Sequence, residues 1–302
     1  MSSTLSSIRG FDMRERKGAP VRDTLIPWIR WWSRSRSTVV GMTVTLFLGA
    51  VAALAPVLSP FDPIEQDLYA VNQPPSRTHW LGTDQLGRDT LSRIVWGARF
   101  SLSVSLSAVA LGGAIGLVLG ICAGYFRGVV DAVLMRVVDV LLAFPMYMVA
   151  IFIMAVLDPS PANTVIAIGI GSSPRFARLA RAEVLRQKEA SYVEAAWAAG
   201  ATDLRVMARH ILPNVVSPVL VMFSLIVGTA ILVEASLSFL GLGVSAPTPA
   251  WGLMVNEGLV GIRSAAWVSI LPGLAITVAV LGLNLLGDGL RDLLDPRVRQ
   301  GL

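Results

Sequence analysis

The sequence is poor in the residues on which most catalytic and metal sites depend. It has one cysteine and two histidines, and its only lysines are Lys17 and Lys188. A single cysteine, Cys122, excludes an intrachain disulfide and every metal motif built on a cysteine pair. Neither lysine follows a glycine, so the chain lacks the phosphate-binding loop GxxxxGK[ST] and cannot supply that ATP site. We therefore expect no catalytic residue, no cofactor and no metal bound by this chain.

Charge is also scarce, and long uncharged runs take its place. Hydrophobic residues make up 54% of the chain and charged residues 15%, with a mean hydropathy of +0.66. This is more apolar surface than a soluble domain of this length would bury, so we predict an all-α polytopic membrane protein. Six runs are long enough, or nearly so, to cross the hydrocarbon core as helices: 38–58, 101–126, 137–157, 162–181, 211–233 and 264–287.

The lysines and arginines orient these six predicted spans. With the N-terminus inside the cell, the internal segments hold 20 of the 25 basic residues. By the positive-inside rule, this bias predicts cytoplasmic tails at 1–37 and 291–302 and a cytoplasmic loop at 188–213. The loop at 59–100 is then extracytoplasmic. The Gly- and Pro-rich stretch 235–256 is predicted to be a short outward-facing or re-entrant segment rather than a seventh span.

Both long polar segments are expected to contain helices. In 188–213, alanines favour a first helix, Gly200 can end it, and Thr202 or Asp203 can cap a second. We expect Pro213 to stop that second helix before the next span. In 59–100, apolar residues of the second half fall near one helical face. This pattern predicts an amphipathic helix at the membrane surface that leads into a permease core at 101–290. Four polar residues of this segment are expected to lie on the other faces of the helix, away from its apolar face: Arg88, Asp89, Ser92 and Arg99.

Two acidic residues fall at or near the ends of predicted spans, Asp139 and Glu234. A carboxylate at the level of the lipid headgroups is the simpler interpretation, and we favour it for both. The functional alternative is a buried carboxylate that lines a pathway. Glu234 is the better candidate for this second role, because a Gly-rich segment begins there. We therefore take Glu234, Gly241 and Gly243 as candidates for a pathway or gate.

Two groups of residues resemble motifs of the permease subunits of ABC importers. The first follows the spacing of the family's cytoplasmic loop, Glu-Ala-Ala, Gly and Leu-Pro, with His210 where the family usually has Ile: Glu194, Ala195, Ala196, Gly200, Leu212 and Pro213. The second resembles the signature of peptide and nickel importer permeases: Leu81, Gly82, Thr83, Asp84, Gly87, Arg88 and Asp89. The resemblance runs from about residue 36 to residue 299.

This resemblance implies a six-helix permease of the type I ABC importer fold, the second or C-type subunit of a pair, in the inner (plasma) membrane. It implies import of di- or oligopeptides together with a homologous permease, two ATPase subunits that use ATP and magnesium, and an extracytoplasmic substrate-binding protein. In the family, the cytoplasmic loop seats in a cleft of the ATPase. Nickel or another small solute is the alternative substrate. A secondary transporter is the alternative class, although the repeated halves and mid-membrane charges usual there are not visible.

Overall fold

The computed structural model describes residues 36–294, and the regular elements within that range are all helices. Of the predicted tails at 1–37 and 291–302, only residues 36–37 and 291–294 are among the described residues. The helices, in chain order, are α1 (Arg36–Ala53), α2 (Ala55–Leu58), α3 (Thr90–Phe126), α4 (Gly128–Leu142), α5 (Met146–Met154), α6 (Pro161–Lys188), α7 (Ser191–Ala198), α8 (Asp203–Val206), α9 (Leu212–Phe239), α10 (Trp251–Val260) and α11 (Trp267–Leu294).

Between residues 36 and 294, four helical stretches are long and apolar enough to cross a membrane: α1, α3, the continuous stretch from α8 through α9, and α11. The pair α4 and α5, bent by 88°, makes a fifth if it is counted as one span. The all-α class is thus confirmed, whereas the predicted count of six is approximate. The difference lies in the predicted fourth span, which falls on α6 and carries arginines along its second half.

Helix α3 is longer than the sequence analysis predicts. Residues 90–100 are its first turns rather than a separate interfacial helix, and it continues to Phe126 over 37 residues. At about 1.5 Å per residue, such a helix is roughly 55 Å long. The Asp89 side chain caps its start by accepting a hydrogen bond from the Ser92 amide at 2.8 Å. Neither proline nor glycine stands at the junction of Phe100 and Ser101, so nothing ends the helix there.

A seam of small residues joins α3 to α6. Glycines spaced four apart place one face of α3 directly against α6: Gly112, Gly116, Gly120 and Gly124. A Cβ at any of these positions would approach atoms of α6 more closely than 3.0 Å. Small residues at this spacing let two membrane helices approach backbone to backbone, so α3 and α6 form one tightly packed pair.

The helix before Pro213 does not stop there, contrary to the prediction. Helix α8 passes through a π-helical turn at Met207–Ile211 into α9, where Pro213 is the second residue. A π turn widens the backbone just ahead of the proline, where an α-helical carbonyl would meet its ring. Helix α9 then continues to Phe239, and the ten-residue helix α10 that follows is too short to span a bilayer.

Candidate functional site

The two groups of motif residues lie at opposite ends of α3. At its start, four ionised side chains form what we call the charge cluster: Asp84, Arg88, Arg93 and Glu257. Arg88 Nε lies 2.7 Å from Asp84 Oδ2, and Arg88 Nη2 lies 2.9 Å from Glu257 Oε2. Arg93 bridges the same two carboxylates, with Nη2 2.8 Å from Glu257 Oε2. Two positive and two negative charges therefore face each other in the interior.

Burial sets this cluster apart from an ordinary surface ion pair. Both arginine side chains are 1% exposed, and the side chains of Asp84 and Glu257 are 2% and 14% exposed. A charge removed from water is tolerated only when opposite charges and hydrogen bonds replace the water. The prediction that Arg88 lies on a polar face of an interfacial helix is wrong, because Arg88 precedes α3 and is covered by α10.

The loop backbone holds Asp84 in place. Its Oδ1 accepts hydrogen bonds from the amides of Leu86 at 2.8 Å and Arg88 at 3.0 Å. Thr83 Oγ1 accepts from the Gln73 amide at 2.9 Å and donates to the Ala70 carbonyl. Six of the seven motif residues are buried, and the seventh, Leu81, is half-buried. The motif thus builds a compact loop around a carboxylate.

Glu257 is the member of the cluster that the sequence analysis missed. It comes from α10, 169 residues after Arg88. Helix α10 is fixed against α3 by Trp251, whose Nε1 donates to the Ile94 carbonyl at 3.0 Å. The sequence indicates this contact only indirectly. Two arginines lie near one aspartate at the start of α3, and Glu257 is the only acidic residue in α10.

At the other end of α3, the 188–213 loop has the predicted helix-turn-helix form. Helix α7 ends at a turn where Gly200 has a φ of +79°, and Thr202 precedes α8. Glu194, Ala195 and Gly200 are exposed, whereas Ala196 packs towards the core. The Glu194 side chain makes no hydrogen bond or ion pair within the described part of the chain. An exposed face of small residues around one unpaired carboxylate is open to contact by another molecule.

The remaining two residues of this motif begin α9. Leu212 is half-buried and Pro213 is exposed. They are tied to α7 by Asn214, whose Nδ2 donates to the Tyr192 hydroxyl at 3.2 Å and to the His210 carbonyl at 2.8 Å. The structure therefore brings all six predicted residues into one loop.

The loop is fastened to α3 by residues that the sequence analysis did not single out. The Tyr125 hydroxyl donates to Asp203 Oδ1 at 2.5 Å, and Lys188 Nζ donates to the Tyr125 carbonyl at 2.6 Å. The Lys188 ammonium also lies 4.7 Å from the centre of the Tyr125 ring and 5.7 Å from that of Trp197. Together these four residues hold the loop against the end of α3.

The third candidate group lies near the end of α9. Glu234 is fully buried, and its Oε1 accepts a hydrogen bond from Ser238 Oγ at 2.8 Å, while Oε2 has no hydrogen-bond partner among residues 36–294. The headgroup position favoured from sequence is therefore wrong for Glu234, because α9 extends beyond it and α10 packs against Ala235 through Gly252. Gly243 packs on Ser238, and Gly241 adopts a φ of +75° in open space.

Asp139, in contrast, is at an accessible position on α4. Its side chain is 50% exposed and lies 2.8 Å from Arg178 Nη2. Eight residues earlier on the same helix, Asp131 accepts from Arg181 at 2.5 and 2.6 Å. Two of the arginines on α6, Arg178 and Arg181, are thus paired with acids on α4, and a position of Asp139 at the level of the lipid headgroups stays a prediction.

Comparison with known proteins now identifies the class. Residues 116–300 match the family described as binding-protein-dependent transport system inner membrane component, and residues 27–75 match the N-terminal transmembrane domain of oligopeptide transport permease C. The chain belongs to the first of these families, and it is a membrane-spanning permease subunit of an ABC importer.

Individual relatives narrow the position of the chain within that class. It is 45% identical to the glutathione transport system permease protein GsiD of Pectobacterium atrosepticum, over 92% of this chain and 95% of the relative. It is 46% identical to the protein of the same name from Escherichia coli O6:K15:H31, over 90% and 91%. Among solved structures, an amino acid ABC transporter crystallised with histidines matches 70% of this chain and 94% of its own, at 18% identity and a TM-score of 0.50, which supports the fold.

Proposed function

We propose that the chain is the C-type permease of an importer of short peptides, with glutathione as the first candidate substrate. Two relatives at 45% and 46% identity, aligned over nearly their full length, are named as glutathione transport permeases. The match of residues 27–75 to an oligopeptide permease domain points to the same substrate class. Glutathione is itself a tripeptide, so both comparisons agree on a short peptide.

The importer would contain four kinds of subunit: this chain, a homologous permease, two ATPases and an extracytoplasmic binding protein. The observation that supports the ATPase contact is the exposed face of α7 and its turn, where Glu194 has no partner in the described chain. An exposed carboxylate among small side chains can pair with a basic group on a closely packed partner. ATP and magnesium would be used by the ATPases alone.

Purification of the tagged chain from its native membrane tests the assembly. We expect two ATPase subunits and a second permease to copurify, and proteoliposomes of that complex, supplied with its binding protein, to accumulate labelled glutathione when ATP is provided. A dipeptide and Ni²⁺ serve as competing substrates. Recovery of a homodimer without any ATPase would contradict the importer, whereas uptake of Ni²⁺ but not of peptides would contradict only the substrate.

Orientation is part of the proposal, with both termini in the cytoplasm of an inner-membrane protein. Thr202, in the 188–213 loop, and Gln73, in the loop before α3, are both exposed. In a variant with Cys122 replaced by alanine, we expect a membrane-impermeant thiol reagent to label a cysteine at position 73 in intact cells. A cysteine at position 202 should react only after the cytoplasmic face is opened, because the basic residues cluster on that side. Labelling of position 202 from outside would reverse the topology.

A further inference from the structure

Tyr125 connects the last turn of α3 to three residues of the 188–213 loop, Lys188, Trp197 and Asp203. Its hydroxyl donates to Asp203, where α8 begins, and its carbonyl accepts from Lys188, where α6 ends. Its ring lies 6.5 Å from that of Trp197 on α7. A single residue therefore contacts the helix before the loop, the first loop helix and the second.

The hydroxyl of Tyr125 is in an unusual position for a residue that only fills space. Tyr125 is 3% exposed, yet it hydrogen-bonds a carboxylate on an exposed loop residue. A hydrogen bond to an ionised group is stronger than one between neutral groups, and partial burial strengthens it further. The contact thus joins the interior of the helical body to the outer loop.

A displacement that reached Tyr125 would not be confined to one turn of α3. The glycine seam keeps α3 in backbone contact with α6, and the seam ends at Gly124, next to Tyr125. Packed elements of this kind move as units because their interfaces do not deform continuously. At the far end of α3, Arg93 carries the connection to Glu257 on α10.

We propose that Tyr125 and Asp203 are positioning residues that transmit displacement of the 188–213 loop to the α3–α6 pair. The inference rests on the proposed function, in which an ATPase contacts that loop, so that ATP-driven movement of the ATPase would displace it. Lys188 and Trp197 hold the Tyr125 ring in the geometry that the hydrogen bond requires. Loss of the bond would let the loop move without α3, so ATP would be hydrolysed with less transport.

The first test compares ATP hydrolysed with glutathione imported, measured in the same proteoliposomes of the complete complex. Tyr125→Phe removes the hydroxyl and keeps the ring beneath Lys188. We expect ATP hydrolysis to stay within about twofold of the parental rate while the ATP used per glutathione rises roughly tenfold, the scale of one hydrogen bond to a charged group. Asp203→Ala should behave alike, and the double variant should be no worse than either single one.

Tyr147→Phe is the matched control. Tyr147 is 48% exposed and its hydroxyl makes no hydrogen bond among the described residues, so its removal should leave the ratio unchanged. A parental ratio in Tyr125→Phe, or additive effects in the double variant, would overturn the inference. Asp203→Asn keeps an oxygen that can accept the bond and should retain part of the coupling.

A second measurement does not depend on the substrate. Spin labels at positions 126 and 208, both exposed, report the distance between the end of α3 and the π turn, in a variant with Cys122 replaced by alanine. In the parental complex we expect the same distance with and without ATP and vanadate. In Tyr125→Phe the distance should change when nucleotide is added. A nucleotide-dependent change in the parental complex would refute the connection, whereas failure of glutathione uptake alone would refute only the proposed substrate.

Discussion

The two ends of α3 handle charge in opposite ways. At the start of the helix, Asp84, Arg88, Arg93 and Glu257 lie in the interior, and each arginine contacts both carboxylates. At the other end, Glu194 is exposed and has no partner within the described residues. In the first arrangement each charge lies beside opposite charges of the same chain, and the ion pairs hold α10 and the preceding loop against α3. The second is incomplete, as expected of a surface that another subunit covers.

The comparison also predicts which substitutions lower the stability of the folded chain and which change only the activity of the complex. Removing a member of a buried, mutually paired cluster leaves uncompensated charge in the interior, so the folded state should suffer. Changing an exposed, unpaired carboxylate leaves the fold almost unaffected and acts only through a partner. Substitutions at the two ends should therefore be distinguishable by whether they change the melting temperature of the chain or the activity of the complex.

The largest effect is expected for Asp84→Ala. It leaves Arg88 and Arg93 buried with one carboxylate between them, and we expect a loss of about 3–5 kcal/mol in the free energy of unfolding. The apparent melting temperature of the detergent-solubilised chain, followed by size-exclusion chromatography, measures this change. Glu65→Ala, at an exposed position in the same loop, is the control and should melt as the parent does. Equal melting of both variants would show that the charge cluster does not stabilise the fold.

Glu194→Lys should leave the melting temperature unchanged and impair the complex. If Glu194 pairs with a basic group on the ATPase, reversing its charge should weaken that contact by about 2–5 kcal/mol. We expect substrate-stimulated ATP hydrolysis and uptake to fall together while the binding protein still docks.

Glu189→Lys is the control for that variant, because Glu189 lies in the same loop and is 77% exposed but has a partner within the chain, Arg127 Nη2 at 3.3 Å, at the junction of α3 and α4. Parental hydrolysis and uptake in Glu194→Lys would show that Glu194 takes no part in coupling. Hydrolysis that persists without uptake would mean that the loop still docks and that Glu194 acts on transmission instead.

A smaller effect on folding than that of Asp84→Ala is expected at Gly200. Its φ of +79° is strained for a side chain with a Cβ, by about 1–2 kcal/mol, although the surrounding space is open. Gly200→Val should therefore insert and fold but lose transport, while Gly200→Asn, which tolerates this conformation better, should keep most of it. Gly273→Val, also in open space but at an ordinary helical φ, is the control. Full uptake by Gly200→Val would show that the turn has no special requirement.

The sequence by itself determined the helical class, the main apolar spans and the two motif regions. These follow from local rules: an uncharged run of about 20 residues predicts a spanning helix, and Gly200 between two helix-forming stretches predicts a turn. The spacing of Glu194, Gly200 and Pro213, and of Asp84, Arg88 and Asp89, was sufficient to recognise the family. No long-range contact has to be known for any of these inferences.

Only the tertiary structure decided which polar groups are paired and which helices continue. Arg88 meets Glu257 across 169 residues, and Tyr125 meets Asp203 across 78, so no local periodicity could indicate either contact. Likewise, Glu234 is buried because α10 folds back over α9, and α9 passes Pro213 because a π turn accommodates the ring. Burial and pairing depend on neighbours that folding brings together. Acidic residues therefore form buried ion pairs at one end of α3 and part of an exposed surface at the other.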